Sequence, residues 1–277
     1  MEPLPTLADD GLATPDVGAW AEEKYQLVRY YADIFSRAMS KKFRLLYADI
    51  FAAAGHAMLR ETRRIVPASP ILVLDLPKPF SRYIYSELDT DNATALETRA
   101  RRRAPSRDVI VIHGDTNSNV AEILSHIPQQ SLTFCFADPF NLENLRFASI
   151  KTLADNRRID FLVLLASGMD ANRNETEYVK PSNQTVELFT GAADWRSRWP
   201  QQPLNFGDFV AEEFGRAMRR LGYQYEGLTA TKVITNSKNA PLYRLAFFSR
   251  HDLGMKFWYD SLKYTDPQTS LPGVTWR

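Results

Sequence analysis

The sequence predicts an α/β fold: a doubly wound sheet of five parallel strands, closed by a C-terminal antiparallel hairpin, with helices on both faces. Three observations carry that expectation. Five short apolar runs recur between residues 43 and 166, separated by amphipathic helical segments, the alternation that builds a parallel sheet. The runs are continuously apolar, as strands buried on both faces must be. Near the C-terminus, two further strand-like runs are joined by a polar turn too short for the crossover that a parallel pair requires.

Residues 1–17 read as an N-terminal tail, because Pro3, Pro5 and Pro15 defeat regular structure. Trp20, Leu27, Val28, Tyr31, Ile34, Phe35 and Ala38 then fall on one face at helical spacing. Lys41 and Lys42 follow, where cations complement the helix dipole. The strand-like runs are Phe43–Phe51, Tyr83–Leu88, Val109–His113, Leu132–Ala137 and Phe161–Ala166. Between them, Asp91–Arg103 opens with capping residue types. Asn119–Ile127 carries Val120, Ile123, Leu124 and Ile127, and Leu142–Ala154 carries Leu145, Ile150 and Leu153. The polar stretch 168–205 has weak periodicity. It reads as an insertion carrying Trp195, Trp199 and Pro200 over the crevice, with its aromatics exposed. A helix Phe206–Leu221 presents Phe206, Val210, Phe214, Met218 and Leu221 on one face. Strands near Thr229–Thr235 and Leu242–Phe248 flank the turn Asn236-Ser237-Lys238-Asn239. Residues 18–277 thus read as a single domain with one insertion.

A chain of 277 residues with 44% hydrophobic content can bury one large core. Its 34 basic and 33 acidic residues leave a net charge of +1, which exerts no global pull on nucleic acid or membrane. The densest basic run is Arg99, Arg101, Arg102 and Arg103 with Arg107, either a solvated helix end or a guide for nucleic acid toward the crevice. The single cysteine, Cys135, excludes an internal disulfide framework and suits a reducing compartment. Lying in an apolar run, it reads as a core thiol. No apolar run reaches the roughly 18 residues of a membrane span, and the start lacks a signal-peptide core. Cytoplasm is the expected location. His56, His113, His126 and His251 have no metal-ligand spacing with one another or with Cys135. Neither a Gly-x-Ser-x-Gly elbow nor a Gly-Lys-Ser/Thr phosphate loop is present.

In a doubly wound sheet, ligands bind at the carboxyl ends of the strands, where the winding reverses. Strand ends are therefore the place to look for chemistry. The first run ends in Asp49-Ile-Phe51-Ala-Ala53-Ala-Gly55, an acid followed by a small-residue turn that lets backbone approach a nucleoside. An ordinary tight strand–helix turn is the competing explanation. The second ends in Glu87, which can accept from ribose hydroxyls. Asp89 is the alternative there, and helix capping the competing role. The third ends in Gly114-Asp115, an acceptor for an adenine amino group or an N-cap. The fourth ends in Asp138-Pro139-Phe140-Asn141, where a carboxylate and a proline-fixed carbonyl can hold a substrate N–H while the ring stacks on a planar base. After the fifth, Arg173 is a candidate for a carboxylate or phosphate, or a solvated loop arginine.

As an ordered series, these motifs resemble the three-Cys-motif partner proteins (TcmP), grouped with the class I S-adenosylmethionine-dependent methyltransferases. The matches are Lys24 and Tyr31, Tyr47-Ala-Asp49-Ile-Phe51-Ala-Ala53-Ala-Gly55, Ala68-Ser69-Pro70, Glu87, Gly114-Asp115, Phe136-Ala-Asp138-Pro139-Phe140-Asn141, Asn172-Arg173 and Leu245–Gly254. They span roughly residues 20–260. The resemblance implies a Rossmann-like methyltransferase sheet. It implies that Asp49, Phe51, Ala53, Gly55, Glu87 and Asp115 line an S-adenosylmethionine site. Asp138, Pro139 and Phe140 would face the substrate as the catalytic set, with Asn141 and Arg173 beside it. It also implies a three-cysteine iron–sulfur-type companion protein as partner. A base or nucleoside in nucleic acid is the substrate expected by analogy with the Asp-Pro-Pro-Tyr motif of amino-methyltransferases, although only one proline stands here. Three departures point to the alternative of a catalytically silent binding or assembly module in a multi-protein, defence-type complex. Ala53, Ala68 and Asn141 each replace a glycine of the family pattern.

Overall fold

The computed structural model describes residues 3–201 and 203–265. The end of the expected domain, 266–277, lies outside the described residues. The strands are β1 (Asp16–Val17), β2 (Leu45–Asp49), β3 (His56–Leu59), β4 (Ile65–Pro67), β5 (Arg82–Glu87), β6 (Val109–His113), β7 (Leu132–Ala137), β8 (Arg158–Leu165), β9 (Lys232–Thr235) and β10 (Pro241–Phe248). The helices are α1 (Ala21–Met39), α2 (Ser69–Leu74), α3 (Thr90–Arg103), α4 (Val120–Ser125), α5 (Phe147–Ala154), α6 (Glu175–Tyr178), α7 (Thr185–Thr190), α8 (Trp195–Arg198), α9 (Phe206–Arg220) and α10 (Asp252–Thr265).

The main sheet has seven strands in the order β6-β5-β2-β7-β8-β10-β9. β6, β5, β2, β7 and β8 run parallel. β10 is antiparallel to both β8 and β9, closing the sheet with a hairpin. This is the Rossmann-like methyltransferase arrangement. The chain builds outward from β2 through β5 to β6, then returns to the other side of β2 with β7 and β8. The winding therefore reverses between β2 and β7, which opens a crevice at their carboxyl ends.

Side-chain alternation divides the core between the two faces. Leu45, Tyr47, Phe134, Phe136, Leu245 and Phe247 face α1 and α10. Leu46, Ala48, Cys135, Phe161, Ala246 and Phe248 face α4, α5 and α9. The first face centres on Tyr31, whose ring lies 4.6 Å from both Phe134 and Phe247, and whose hydroxyl donates to Asp160 (2.9 Å). Cys135 is a buried free thiol, as expected. Among the described residues, no helix is long and apolar enough to cross a membrane.

Two regions differ from expectation. The expected tail is laid against the body. β1 pairs with β3, which pairs with β4, in a second small sheet, and Leu7 bridges to Ile65. Leu4 is buried against this sheet. Prolines prevent a helix here, yet extended pairing and one buried arginine are enough to hold the segment. Arg99 donates to Asp10 (2.6 and 2.8 Å), to the Ala13 and Ala54 carbonyls (2.8 and 2.7 Å) and to Thr14 (3.0 Å). The second difference is in the insertion. Phe189 and Trp195 are fully buried instead of exposed over the crevice. They pack on α9 through Phe214 (5.0 Å) and Phe206 (5.8 Å between ring centroids). Helices of four to six residues are too short to display a period, so their apolar face was not visible in the sequence.

Candidate functional site

A cavity of about 890 Å³ opens at the carboxyl ends of β2, β5, β6 and β7, the size and position expected of a ligand site. Phe51, Ala53, Glu87, Asp115, Asp138, Pro139, Phe140, Asn141 and Arg173 all line it. The strand ends therefore converge as the sequence predicts.

Two of the expected cofactor residues stand elsewhere. Asp49 is fully buried behind the turn, where its Oδ2 accepts from Ser69 Oγ (2.7 Å) and Tyr47 Oη (3.0 Å). Burial pushes this carboxyl up to about 7. As the last residue of β2, Asp49 follows the strand's alternation onto the α1–α2 side, away from the crevice. Gly55 also lies behind the turn. It has φ +79°, and a Cβ there would meet Leu96 at 2.9 Å and Ile71 at 3.0 Å. Its glycine is needed for backbone conformation and packing, and it does not line the cavity.

Ala53 is the critical turn residue. It adopts φ +50° although it is not glycine. That left-handed conformation costs an alanine about 1 kcal/mol and marks a turn held by its surroundings. The holder is Glu87, whose Oε2 accepts from the Ala53 N–H (2.8 Å). Its Oε1 accepts from the Asp89 N–H (3.0 Å). A carboxylate offers roughly four acceptor positions, so two remain for a ligand. Asp89 itself caps α3 by accepting from the Asn92 N–H (2.9 Å), and of the two acids it is Glu87 that lines the cavity. The other two departures carry no such strain. Ala68 has φ −90° and Asn141 has φ −146°, both open to any residue. Asn141 and Asn144 form a reciprocal capping box at the start of the short 3₁₀ turn after β7.

Asp115 is not the N-cap of α4, which is Asn119, but it organises the turn before that helix and reaches the cavity. It accepts from Ser118 N (3.0 Å) and Oγ (2.9 Å) and from Asn117 Nδ2 (3.1 Å), and it also lines the cavity. Its partial burial acts to raise the carboxyl, but the bonds from Ser118 and Asn117 prevail and hold it below the ordinary range.

On the far side of the crevice, Asp138 is already engaged. Lys24 Nζ lies 2.5 Å from its Oδ2, and both side chains are largely buried. The Lys24 ammonium also sits over the rings of Tyr25 (5.1 Å) and Tyr243 (5.6 Å). All three of these residues line the cavity. Phe140 is 76% exposed at the mouth, and Leu88 stands out at 66%. Pro15, Asp16, Val17 and Gly18 of the N-terminal segment form another wall. Among the described residues, no cluster of His, Cys, Asp or Glu has a metal-binding arrangement.

The sequence reading did not place Lys24, Tyr243 or residues 15–18 at the site. Lys24 appears in the family pattern only as part of a helix. Nothing in local spacing ties it to a carboxylate 114 residues away.

The basic run is not at the crevice. Arg99 is 4% exposed and is engaged by Asp10 and Ala13 of the N-terminal segment and by the Ala54 carbonyl. Arg101 pairs with Glu97, and Arg103 with Asp75. α3 starts at the crevice and ends at the opposite edge, so Arg103 lies about 16 Å further along the axis than the cavity-lining Asn92.

No protein-family model matches the chain, and no curated protein matches it. Solved structures do resemble it. Protein LPL1258 from Legionella pneumophila is 12% identical, with 87% of this chain and 92% of that one covered, at a TM-score of 0.46. The magnesium protoporphyrin IX methyltransferase of Synechocystis PCC 6803, solved with S-adenosylhomocysteine (SAH), is 11% identical, with coverage of 83% and 84% and a TM-score of 0.45. An O-methyltransferase from Bacillus cereus, in complex with SAH, is 12% identical, with coverage of 86% and 84% and a TM-score of 0.47.

Proposed function

We propose that this protein is an S-adenosylmethionine-dependent methyltransferase. One observation carries the reading: a cavity at the winding reversal in which Glu87, at the end of β5, faces the left-handed Ala53 turn at the end of β2. The residues present suit the cofactor. Glu87 retains acceptor positions for ribose hydroxyls, Asp115 offers one to an adenine amino group, and the small-residue turn leaves backbone accessible. The cavity volume of about 890 Å³ leaves room for an acceptor beside it. When bound, the cofactor would supply a methyl carbon on a sulfonium for transfer to an acceptor lone pair, with the carbon–sulfur electron pair leaving on sulfur. The chain's part is to position the acceptor, to wall the crevice with residues 15–18, and to hold charge at Asp138 and Lys24.

The nucleobase reading of Asp138-Pro139-Phe140 required a carboxylate free to accept from an amino group. Lys24 occupies one position on Oδ2, so the carboxylate keeps acceptor positions for a substrate N–H while the ion pair sets a cation beside them.

Calorimetry with SAH tests the proposal. Saturable binding is expected, and Glu87→Ala should weaken it by about 1–3 kcal/mol through lost hydrogen bonds. An absence of heat at millimolar ligand would rule the reading out.

A further inference from the structure

We infer that Lys24 and Tyr243 form a seat for an ionised oxygen of the methyl acceptor, so that the acceptor is a planar phenol- or enol-type molecule rather than an amine. The inference rests on the methyltransferase reading above and extends it to the substrate.

The first support is donor geometry. Lys24 presents three N–H donors and no acceptor. One donor is directed at Asp138 at 2.5 Å. Tyr243 is 2% exposed and lines the same cavity, and its hydroxyl has no hydrogen-bond partner among the described residues. A buried hydroxyl without a partner is uncommon and costs free energy until something fills it. Burial first, then the charge of Asp138, push the Tyr243 hydroxyl well above the ordinary tyrosine range. It therefore remains a donor. An ammonium and a phenolic O–H on the same wall call for an acceptor-rich, negatively charged group.

The second support is what Lys24 still lacks. Asp138 takes one of its three N–H donors. An ionised oxygen can accept from the other two in charge-assisted bonds, whereas an amine has a single lone pair, the one that must attack the methyl. An oxygen already ionised also needs no base, consistent with an Asp138 engaged by Lys24. Phe140, mostly exposed at the cavity mouth, offers a face for a planar ring.

A shape-matched pair of probes, 4-nitrophenol and 4-nitroaniline, tests this without turnover. The protein is loaded with sinefungin, an analogue that keeps a positive charge and cannot transfer a methyl. The absorbance of bound nitrophenol then reports its ionisation. The expected result is at least a tenfold shift toward the phenolate, with nitroaniline binding at least tenfold more weakly. Lys24→Met should abolish the shift, and Tyr243→Phe should reduce it severalfold. Because Lys24→Met leaves Asp138 alone, the double variant Lys24→Met/Asp138→Asn is measured alongside, and the same loss is expected in it. Equal binding of the two probes, no binding of nitrophenol, or an unchanged shift in the Lys24 variants overturns the inference. A further arm addresses the cofactor's own carboxylate. If Lys24→Met loses SAH but not 5′-methylthioadenosine, which lacks that carboxylate, Lys24 belongs to the cofactor and the acceptor seat is overturned. Failure of wild-type protein to bind sinefungin and SAH at all would instead remove the methyltransferase reading on which the seat rests.

Discussion

At the scale of single residues, Ala53 sets the clearest test. A glycine at position 53 adopts φ +50° without penalty and removes a methyl from the cavity lining. Ala53→Gly should therefore bind SAH up to about tenfold more tightly, or roughly 1.4 kcal/mol, with little change in melting temperature, because relieved strain offsets added chain entropy. Affinity unchanged in a calorimetric titration would show that the methyl lies clear of the ligand. Asp49 makes a different prediction. Its carboxyl moves from 3.8 to about 7 on burial. The folded protein thus keeps a proton that the unfolded chain has released. This group favours folding below about pH 4, and that contribution is lost as pH rises through about 7. Asp49→Asn has no such charge to bury. Its stability relative to wild type should rise between about pH 5 and pH 8 by on the order of 2 kcal/mol. Other titrating groups, such as Asp160 and His56, are common to both proteins. Parallel melting curves across that range would contradict the assignment. These roles were only partly legible beforehand. Glu87 and Asp115 could be read from strand ends, but which side of β2 Asp49 faces depends on a register that one residue's shift would invert.

At the scale of elements, the parallel strands were legible because each is a continuous apolar run, and β6 and β7 match the expected limits of Val109–His113 and Leu132–Ala137. The β3–β4 hairpin and α2 were not. Three- to six-residue elements carry too few positions to show a period, and Pro67 and Pro70 read as breakers. The N-terminal segment is the element with the most direct mechanical link to the cavity. Arg99→Ala would strand Asp10, whose carboxyl the Arg99 hydrogen bonds hold down to about 2. Loss of one partner from such a pair costs about 3–5 kcal/mol when both groups are buried. Asp10 is exposed and its carboxylate can rehydrate, so the cost falls below that range, to about 1–3 kcal/mol for the lost charged hydrogen bonds. The segment should then become a protease-sensitive site within residues 8–17, and SAH affinity should fall as the wall loosens. A digestion pattern identical to wild type would show that β1 pairing alone secures it.

At the scale of the whole molecule, the two edges of the sheet differ in character. The crevice edge gathers Glu87, Asp115, Asp138 and Lys24, while the opposite edge carries the end of α3 with Arg101, Arg102 and Arg103. Replacing these three arginines by serine should leave SAH affinity unchanged at 0.1 M salt and above, because more than a Debye length of about 10 Å at 0.1 M separates them from the site. A salt-dependent loss of binding would mean that the basic edge communicates with the crevice. The balance of 34 basic and 33 acidic residues concealed this division, since a net charge records no position.

The strapping of the first residues by Arg99 has a temporal consequence. Asp10 and Arg99 are separated by 89 positions. On the ribosome, the wall formed by residues 15–18 is therefore made well before the guanidinium that clamps its segment, which emerges only with α3. Until then the segment is held only by its pairing with β3 and the Leu7–Ile65 bridge, while β2, β5 and the turn between them shape the crevice floor. The N-terminal wall is thus completed only when α3 arrives, and the walls that carry Asp138, Arg173 and Tyr243 follow later still.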